Sequence, residues 1–259
     1  MIRRVAVVVP AANEERHIGK CLSSIGIARR HLYRSHANIQ VRIVVALDDC
    51  VDSTAAIAAA SGDVLLVTVT AGGVGTARRA GASAALAGTG PASELWLANT
   101  DADCEVPVNW LMSMVNEARL GAHVVLGTVV PGSGLHPAAR AQWASRHHLR
   151  DGHPHVHGAN FGIRGDAYLA LGGWQPLVTG EDTDLARRAT LAGHMRVSRI
   201  AAIPVVTSVR RNGRAPRGFS RYLRALDPDG VRGGSDGPAW ETAGARSCDC
   251  EVLFPGVRP

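Results

Sequence analysis

Asp101-Ala102-Asp103 follows directly on the apolar run Leu95-Trp96-Leu97-Ala98. Alternate carboxylates leaving a strand can hold a hard divalent cation, and Mg2+ or Mn2+ so placed bridges protein carboxylates and substrate phosphates. Alone, such a pair reads as a solvated acidic turn. Here other charged blocks stand at similar places. Pro10-Ala11-Ala12-Asn13-Glu14-Glu15 follows an apolar run over residues 5–9, and Asp48-Asp49-Cys50-Val51-Asp52 follows another over 41–47. Gly180-Glu181-Asp182-Thr183-Asp184 comes late in the chain. Gly72-Gly73-Val74-Gly75 opens a helix that carries Arg78 and Arg79, where backbone amides and guanidinium groups can meet a diphosphate. Plainer readings stand beside these. Glu14, Glu15, Glu181, Asp182 and Asp184 suit the first turn of a helix, and Arg79 suits a solvated basic face. Gly73-x-Gly75-x-x-Arg78 grazes a dinucleotide fingerprint, but it lacks the third glycine and follows the third strand, so hydride transfer is not indicated. His153-Pro154-His155-Val156-His157 invites a zinc reading. The proline within it and the lack of a fourth ligand at zinc spacing argue against a closed site.

These residues need elements to position them. Residues 5–9 form a continuous apolar run ending at Pro10, the pattern of a strand buried on both faces. Asn13 offers an N-cap for a helix over residues 13–27. Further strands are expected over 41–47, 64–69, 95–98 and 124–130, and helices over 53–60, 76–87 and 107–120. This alternation argues an α/β domain with a mostly parallel sheet. The acidic blocks then fall just beyond the carboxyl ends of the strands, where ligands of open α/β sheets bind. From residue 131 the composition shifts to Gly, Pro, His and Arg. Helices are expected over 138–150, 166–171 and 182–192, with short strands over 158–163 and 200–206. Residues 227–259 hold many Gly, Pro and Asp residues with little periodicity, and read as a loose tail.

Composition removes several classes. The chain has 259 residues, 46% hydrophobic and 19% charged, which excludes wholesale disorder. No apolar run reaches the ~18–20 residues of a membrane helix. The apolar stretch at residues 5–9 is too short for an export signal and runs into Asn13-Glu14-Glu15, so the cytoplasm is the expected compartment. The net charge is +6, and Lys20 is the single lysine among 28 basic residues. Aromatic residues are only 4%, against the aromatic-rich basic surface of a nucleic-acid binder. The charge suits an anionic small molecule, or peripheral contact with an anionic membrane surface. Cysteines at 21, 50, 104, 248 and 250 form no C-x-x-C pair and read as reduced thiols.

Five of the blocks, in order, resemble those of family 2 glycosyltransferases. Pro10 to Glu15 resembles the opening P-x-x-N-E-E block. Asp48-Asp49-Cys50-Val51-Asp52-Ser53-Thr54 resembles D-D-G-S-x-D-x-T, one residue shorter and with Cys50 in place of Gly. Gly75-Thr76-Ala77-Arg78-Arg79-Ala80-Gly81 resembles G-x-A-x-A-R-N-x-G, with Arg79 in place of Asn. Asp101-Ala102-Asp103 matches the D-x-D, and Gly180 to Leu185 matches the acidic block near the acceptor. The resemblance spans residues 5–215.

It implies the GT-A (Rossmann-like) α/β fold: a mostly parallel central sheet, helices on both faces and a C-terminal acceptor-binding region. On this reading residues 1–226 form one domain, with a nucleotide-sugar half over 1–130 and an acceptor half over 131–226. The implied reaction is metal-dependent, inverting transfer, of the hexosyltransferase type, from a nucleotide sugar to a hydroxyl acceptor, with a UDP-sugar the first choice of donor. Pro10, Ala11 and Glu14 would line base and ribose, Asp48 or Asp49 would accept from the base, and Arg78 and Arg79 would meet the diphosphate. Asp103 would ligate Mn2+ or Mg2+, with Asp101 on the ribose or the metal. Asp182 would be the general base and Glu181 its neighbour. The three histidines, with Gly158-Ala159-Asn160, would line the acceptor pocket. Trp174 would stack on a sugar or sit in the core, and Arg210 to Arg214 would reach over the diphosphate or form a solvated loop.

Two rival readings remain. A sugar-phosphate nucleotidyltransferase normally carries a Gly-rich basic loop after the first strand, where this chain has Pro10 to Glu15. A non-catalytic binder of RNA or anionic lipid has little use for ordered acidic blocks.

Overall fold

The computed structural model describes residues 1–70, 72–147 and 149–210. The expected tail over 227–259, Cys248 and Cys250, and residues 211–214 of the basic run lie outside the described residues.

Eight strands form one sheet in the order β3-β2-β1-β4-β7-β6-β8-β5. β1 (Arg4–Ala11), β2 (Gln40–Asp48), β3 (Val64–Val69) and β4 (Leu95–Asn99) run parallel. β7 (Phe161–Arg164) is antiparallel to β4 and to β6 (Val124–Pro131), and β8 (Val197–Thr207) is parallel to β6. The two-residue β5 (Cys104–Glu105) pairs antiparallel with Val206 and Thr207 of β8. Only β5 and β7 therefore run against the rest. β8 shifts register along β6 between Gly127 and Val129, and this irregularity lets its far end turn back beside the D-x-D.

Helices cover both faces. One face carries α1 (Ile18–Ser35), α2 (Thr54–Ala60) and α4 (Trp110–Arg119); Ile18, Leu22, Ile25 and Leu32 of α1 meet Val5, Val7, Val9 and Ile43 in one core. Those α1 residues recur at the spacing of one helical face. The other face carries α3 (Gly73–Leu86), α6 (Gly165–Ala170) and α7 (Glu181–Leu191), where Ala82, Ala85, Tyr168, Leu185 and Ala189 pack on Val44, Leu97 and Phe161. α5 (Pro137–Arg146) forms a small separate cluster through Ala139 and Trp143. With helices on both sides the central strand β1 is apolar on both faces, and Val7, Val8 and Val9 are all fully buried.

The first helix departs from expectation. α1 begins at Ile18, not Asn13, and continues to Ser35, not Ile27. Asn13 is in the left-handed region (φ 51°), and its Oδ1 accepts the N–H groups of Val51 (2.8 Å) and Asp52 (3.3 Å). Glu14 N–H donates to Thr54 Oγ1 (2.7 Å), Glu15 N–H to Asp52 (3.1 Å), and Ser53 N–H to Glu15 (3.1 Å). The polar residues that looked like a cap instead clamp the loop after β1 to the loop after β2. α5 also stops at Arg146, short of the expected residue 150.

Candidate active site

The acidic blocks converge at the carboxyl ends of β1, β2 and β4, and two arginines organise them. Arg78, on α3, is 2% exposed; it donates to Asp101 Oδ1 at 2.5 Å and to Glu181 Oε1. Its guanidinium lies 5.4 Å from the Trp174 ring centroid. On another side it presses on Gly158, where any Cβ would overlap it. Burial alone would lower the Arg78 pKa, but Asp101, Glu181 and Asp182 outweigh it and hold the guanidinium above its ordinary range. The carboxyls of Asp101 and Glu181 are pushed up by burial against the opposing pull of Arg78, with neighbouring carboxylates adding to the rise. Arg78 is thus a brace between the D-x-D and the acidic block of α7.

Arg210 makes the second junction. Its Nη1 donates to Glu14 Oε1 (2.6 Å) and Oε2 (2.7 Å), and Nη2 lies 3.1 Å from Asp103 Oδ2. Ser208 anchors the same carboxylate, its hydroxyl donating to Asp103 Oδ2 at 2.6 Å and its N–H to Asp103 O at 3.0 Å. Burial would lower the Arg210 pKa, and Asp103 and Glu14 reverse that.

At the end of β1, Pro10 is half-buried and Ala11 buried. Cys50, where the family has glycine, sits between Ala11 O and Asn13 N, at 3.4 Å from each. Asp48 accepts the Gly72 N–H on Oδ1 (2.9 Å), while Asp49 is exposed with φ 46° and donates its N–H to Val69 O (3.1 Å). The start of α3 is covered: a Cβ on Gly75 would overlap the backbone of Gln175 and Leu177. Gly75 serves this close approach, whereas Gly73 is set by its left-handed backbone (φ 69°). Arg79, one position further round α3, is exposed and has Tyr168 of α6 as an electrostatic neighbour, so the structure does not bring it together with Arg78's carboxylates.

At the start of α7, Asp182 Oδ2 accepts the Gly158 N–H and Oδ1 the Thr183 N–H, both at 2.7 Å. Two backbone donors thereby fix its orientation and leave lone pairs for a hydroxyl. Beside it runs a column of rings. Trp143 stacks on His147 (4.5 Å between centroids), His147 on His155 (5.0 Å), and His155 on both His153 (5.7 Å) and His157 (6.0 Å). Burial and the neighbouring imidazoles lower the pKa of His157 to about 4, against the pull of Asp182, so the ring is neutral at pH 7. Asn160 and Trp174 are core residues. Asn160 is fully buried, its amide donating to Thr128 O (2.8 Å) and Ile203 O (2.7 Å) and its Oδ1 accepting from Trp110 Nε1 (2.9 Å). Trp174 is fully buried edge-on to Phe161 at 5.0 Å, so it offers no face to a sugar.

The donor set for a cation is compact: ligand atoms of Asp101, Asp103 and Cys104 all lie within 4.8 Å of one another. No other group of three His, Cys, Asp or Glu residues among the described residues meets that spacing, which leaves the stacked histidines without metal geometry. Sequence reasoning gave no role to Cys104 or Ser208. Nothing in the local sequence marks the first as near the carboxylates beyond its adjacency to Asp103.

An α/β sheet with this order and carboxylates gathered at its carboxyl edge is the architecture of a GT-A transferase. The sequence model for glycosyl transferase family 2 matches residues 6–167, and the chain belongs to that family and is a glycosyltransferase. Solved structures agree on the fold. A mannosyltransferase from Pyrobaculum calidifontis, in complex with GDP-Man and Mn2+, aligns with TM-score 0.60 and 21% identity, over 92% of this chain and 67% of that one. Glucosyl-3-phosphoglycerate synthase from Mycobacterium tuberculosis, with Mn2+, UDP and phosphoglyceric acid, gives 0.56 and 19%, over 86% and 77%. TarS from S. aureus gives 0.56 and 15%, over 88% of this chain, which spans only 40% of TarS. No match was found among curated protein sequences. No helix among the described residues is long and apolar enough to cross a membrane.

Proposed function

We propose that this glycosyltransferase moves a sugar from a nucleoside diphosphate sugar, with UDP-sugars the first choice, to a hydroxyl acceptor with inversion and with help from Mn2+ or Mg2+. The observation that carries this reading is the Arg78 brace, which holds the D-x-D and the acidic block of α7 as one cluster at the carboxyl edge of the sheet. The complexes of the two transferases above with Mn2+ and UDP or GDP-mannose support the donor class. The residues present fit a hard divalent ion, since Asp101 and Asp103 offer oxygens at a spacing such an ion accepts, with Asp103 the direct ligand. When bound, that ion would supply Lewis-acid neutralisation of the leaving diphosphate.

Pro10, Ala11, Glu14 and one of Asp48 and Asp49 hold the nucleoside. Asp182 takes the proton of the acceptor hydroxyl as that oxygen attacks the anomeric carbon and the bond to the diphosphate breaks on the opposite face. Glu181 acts through Arg78 as a positioning residue. The column of imidazoles walls the acceptor side. Residues 1–226 form the working domain, 1–130 binding the donor and 131–226 the acceptor, with 227–259 dispensable for folding. Thermal unfolding with a panel of nucleotide sugars, with and without Mn2+, tests the reading. The expected result is a midpoint rise confined to one base class and dependent on Mn2+; no rise with any member of the panel overturns it.

A further inference from the structure

Resting on the reading above, we infer that Gly158 is the positioning residue of the general base. Its N–H makes Oδ2 of Asp182 the oxygen that takes the acceptor's proton, and its missing side chain leaves room for the Arg78 brace. The hydrogen bonds around Asp182 are unequal. Oδ1 accepts the Thr183 N–H at 2.7 Å and the Thr183 hydroxyl at 3.3 Å, whereas Oδ2 accepts the Gly158 N–H alone, at 2.7 Å. A carboxylate oxygen offers two lone-pair sites. Oδ1 is therefore filled, and Oδ2 keeps one open site whose direction Gly158 sets. As the acceptor oxygen bonds to the anomeric carbon, its proton passes to that site, and the diphosphate leaves with the electron pair of the bond that breaks.

That N–H is held in place from both sides. Gly158 opens the short turn Gly158–Asn160, which the Asn160 N–H closes on His157 O at 3.0 Å. The Asn160 amide fastens the turn to the core through Thr128 O and Ile203 O. Against its other side stands the Arg78 guanidinium, where a Cβ on Gly158 would overlap Cζ and both Nη atoms. Arg78 has no room to swing clear, because it is buried, tied to Asp101 and Glu181, and packed on the Trp174 ring. Gly158 is not in the left-handed region, so space and not backbone strain refuses an added methyl group. One peptide thus joins the D-x-D, through Arg78, to the base, and displacement of the guanidinium reaches Oδ2 of Asp182.

The test reads initial rates of UDP release in Mn2+ from the nucleotide sugar that stabilises the chain most, with water or glycerol as the hydroxyl source. Gly158→Ala should slow release by at least about tenfold and up to roughly 10²-fold, the cost of misplacing a reacting group. In the Asp182→Asn background the same alanine should cost no more than about twofold further, because the group it acts through is already gone. Thr183→Ala, at an exposed position, removes a donor from Oδ1 and leaves Oδ2 untouched. Its loss should stay under about tenfold, the range of one hydrogen bond, and it carries the test if Gly158→Ala fails to fold. A smaller loss in Gly158→Ala, or an equal loss in both backgrounds, overturns the role of Gly158. A larger loss in Thr183→Ala puts the proton on Oδ1 and overturns it too. In each of these cases slow release by Asp182→Asn alone leaves the transferase reading intact. Release by Asp182→Asn as fast as by the wild type overturns the base and the inference together.

Discussion

Asp103 and Asp182 carry the same functional group in different surroundings, and those surroundings set different consequences for the same substitution. Asp103 is engaged by Ser208 and Arg210 within the cation set. Asp182 is held by two backbone N–H groups and lies outside that set. Asp182→Asn keeps size and hydrogen-bonding reach but cannot take a proton, so kcat should fall by roughly 10²–10⁴-fold while UDP binding in Mn2+ stays near wild type. On the proposed reading, in which the ion would contact the diphosphate before the reaction, Asp103→Asn should weaken Mn2+-dependent UDP binding as well as turnover. Calorimetry and initial rates on the two variants separate the roles. Near-normal turnover in Asp182→Asn would assign Asp182 to helix capping alone.

At the scale of elements, the strands were legible because short apolar runs bounded by turn residues and rich in β-branched side chains fit strands covered on both faces, as β1 and β6 are. The acidic blocks were legible because they follow those runs directly. What the sequence concealed were contacts set by distant chain. Asn13 has the composition of a cap, but its αL backbone and its bonds to Val51 and Asp52 depend on a loop 38 and 39 positions away. β5 is two residues long and exists only because Val206 and Thr207 lie beside it. His153, His155 and His157 read in the sequence as a loop lining the acceptor pocket, and their stack with His147 from the end of α5 is not visible there. That stack has a measurable signature. With His157 at about 4 when folded and ~6.5 when unfolded, the unfolded chain binds more protons between those values, so stability falls as pH drops from 6.5 toward 4. The loss assignable to His157 is about 3 kcal/mol at its full extent. His157→Gln should remove that share of the slope in chemical denaturation at stepped pH, and an unchanged slope would place the proton uptake on other histidines.

For the whole molecule, the described residues through 210 already contain the sheet, both helix layers and the candidate active site. A chain ending at Asp227 should therefore unfold cooperatively with a midpoint close to that of the full chain, and bind UDP and Mn2+ alike. A broad, non-cooperative transition would show that residues after 227 are part of the domain. The pairing of β8 with β5 also has a consequence for biosynthesis. Ser208 meets Asp103 across 105 positions, and Arg210 meets Glu14 across 196. A growing chain that has just released its first four parallel strands from the ribosome holds Arg78 beside Asp101 but not yet the Ser208 and Arg210 partners of Asp103 and Glu14. Because domains are made from the N-terminus at ~5–20 residues per second, several seconds separate synthesis of the D-x-D from arrival of the segment that secures it. During that interval Asp103 and Glu14 stand without the contacts that hold them in the finished fold, and the edge of the sheet closes only when the last strand arrives.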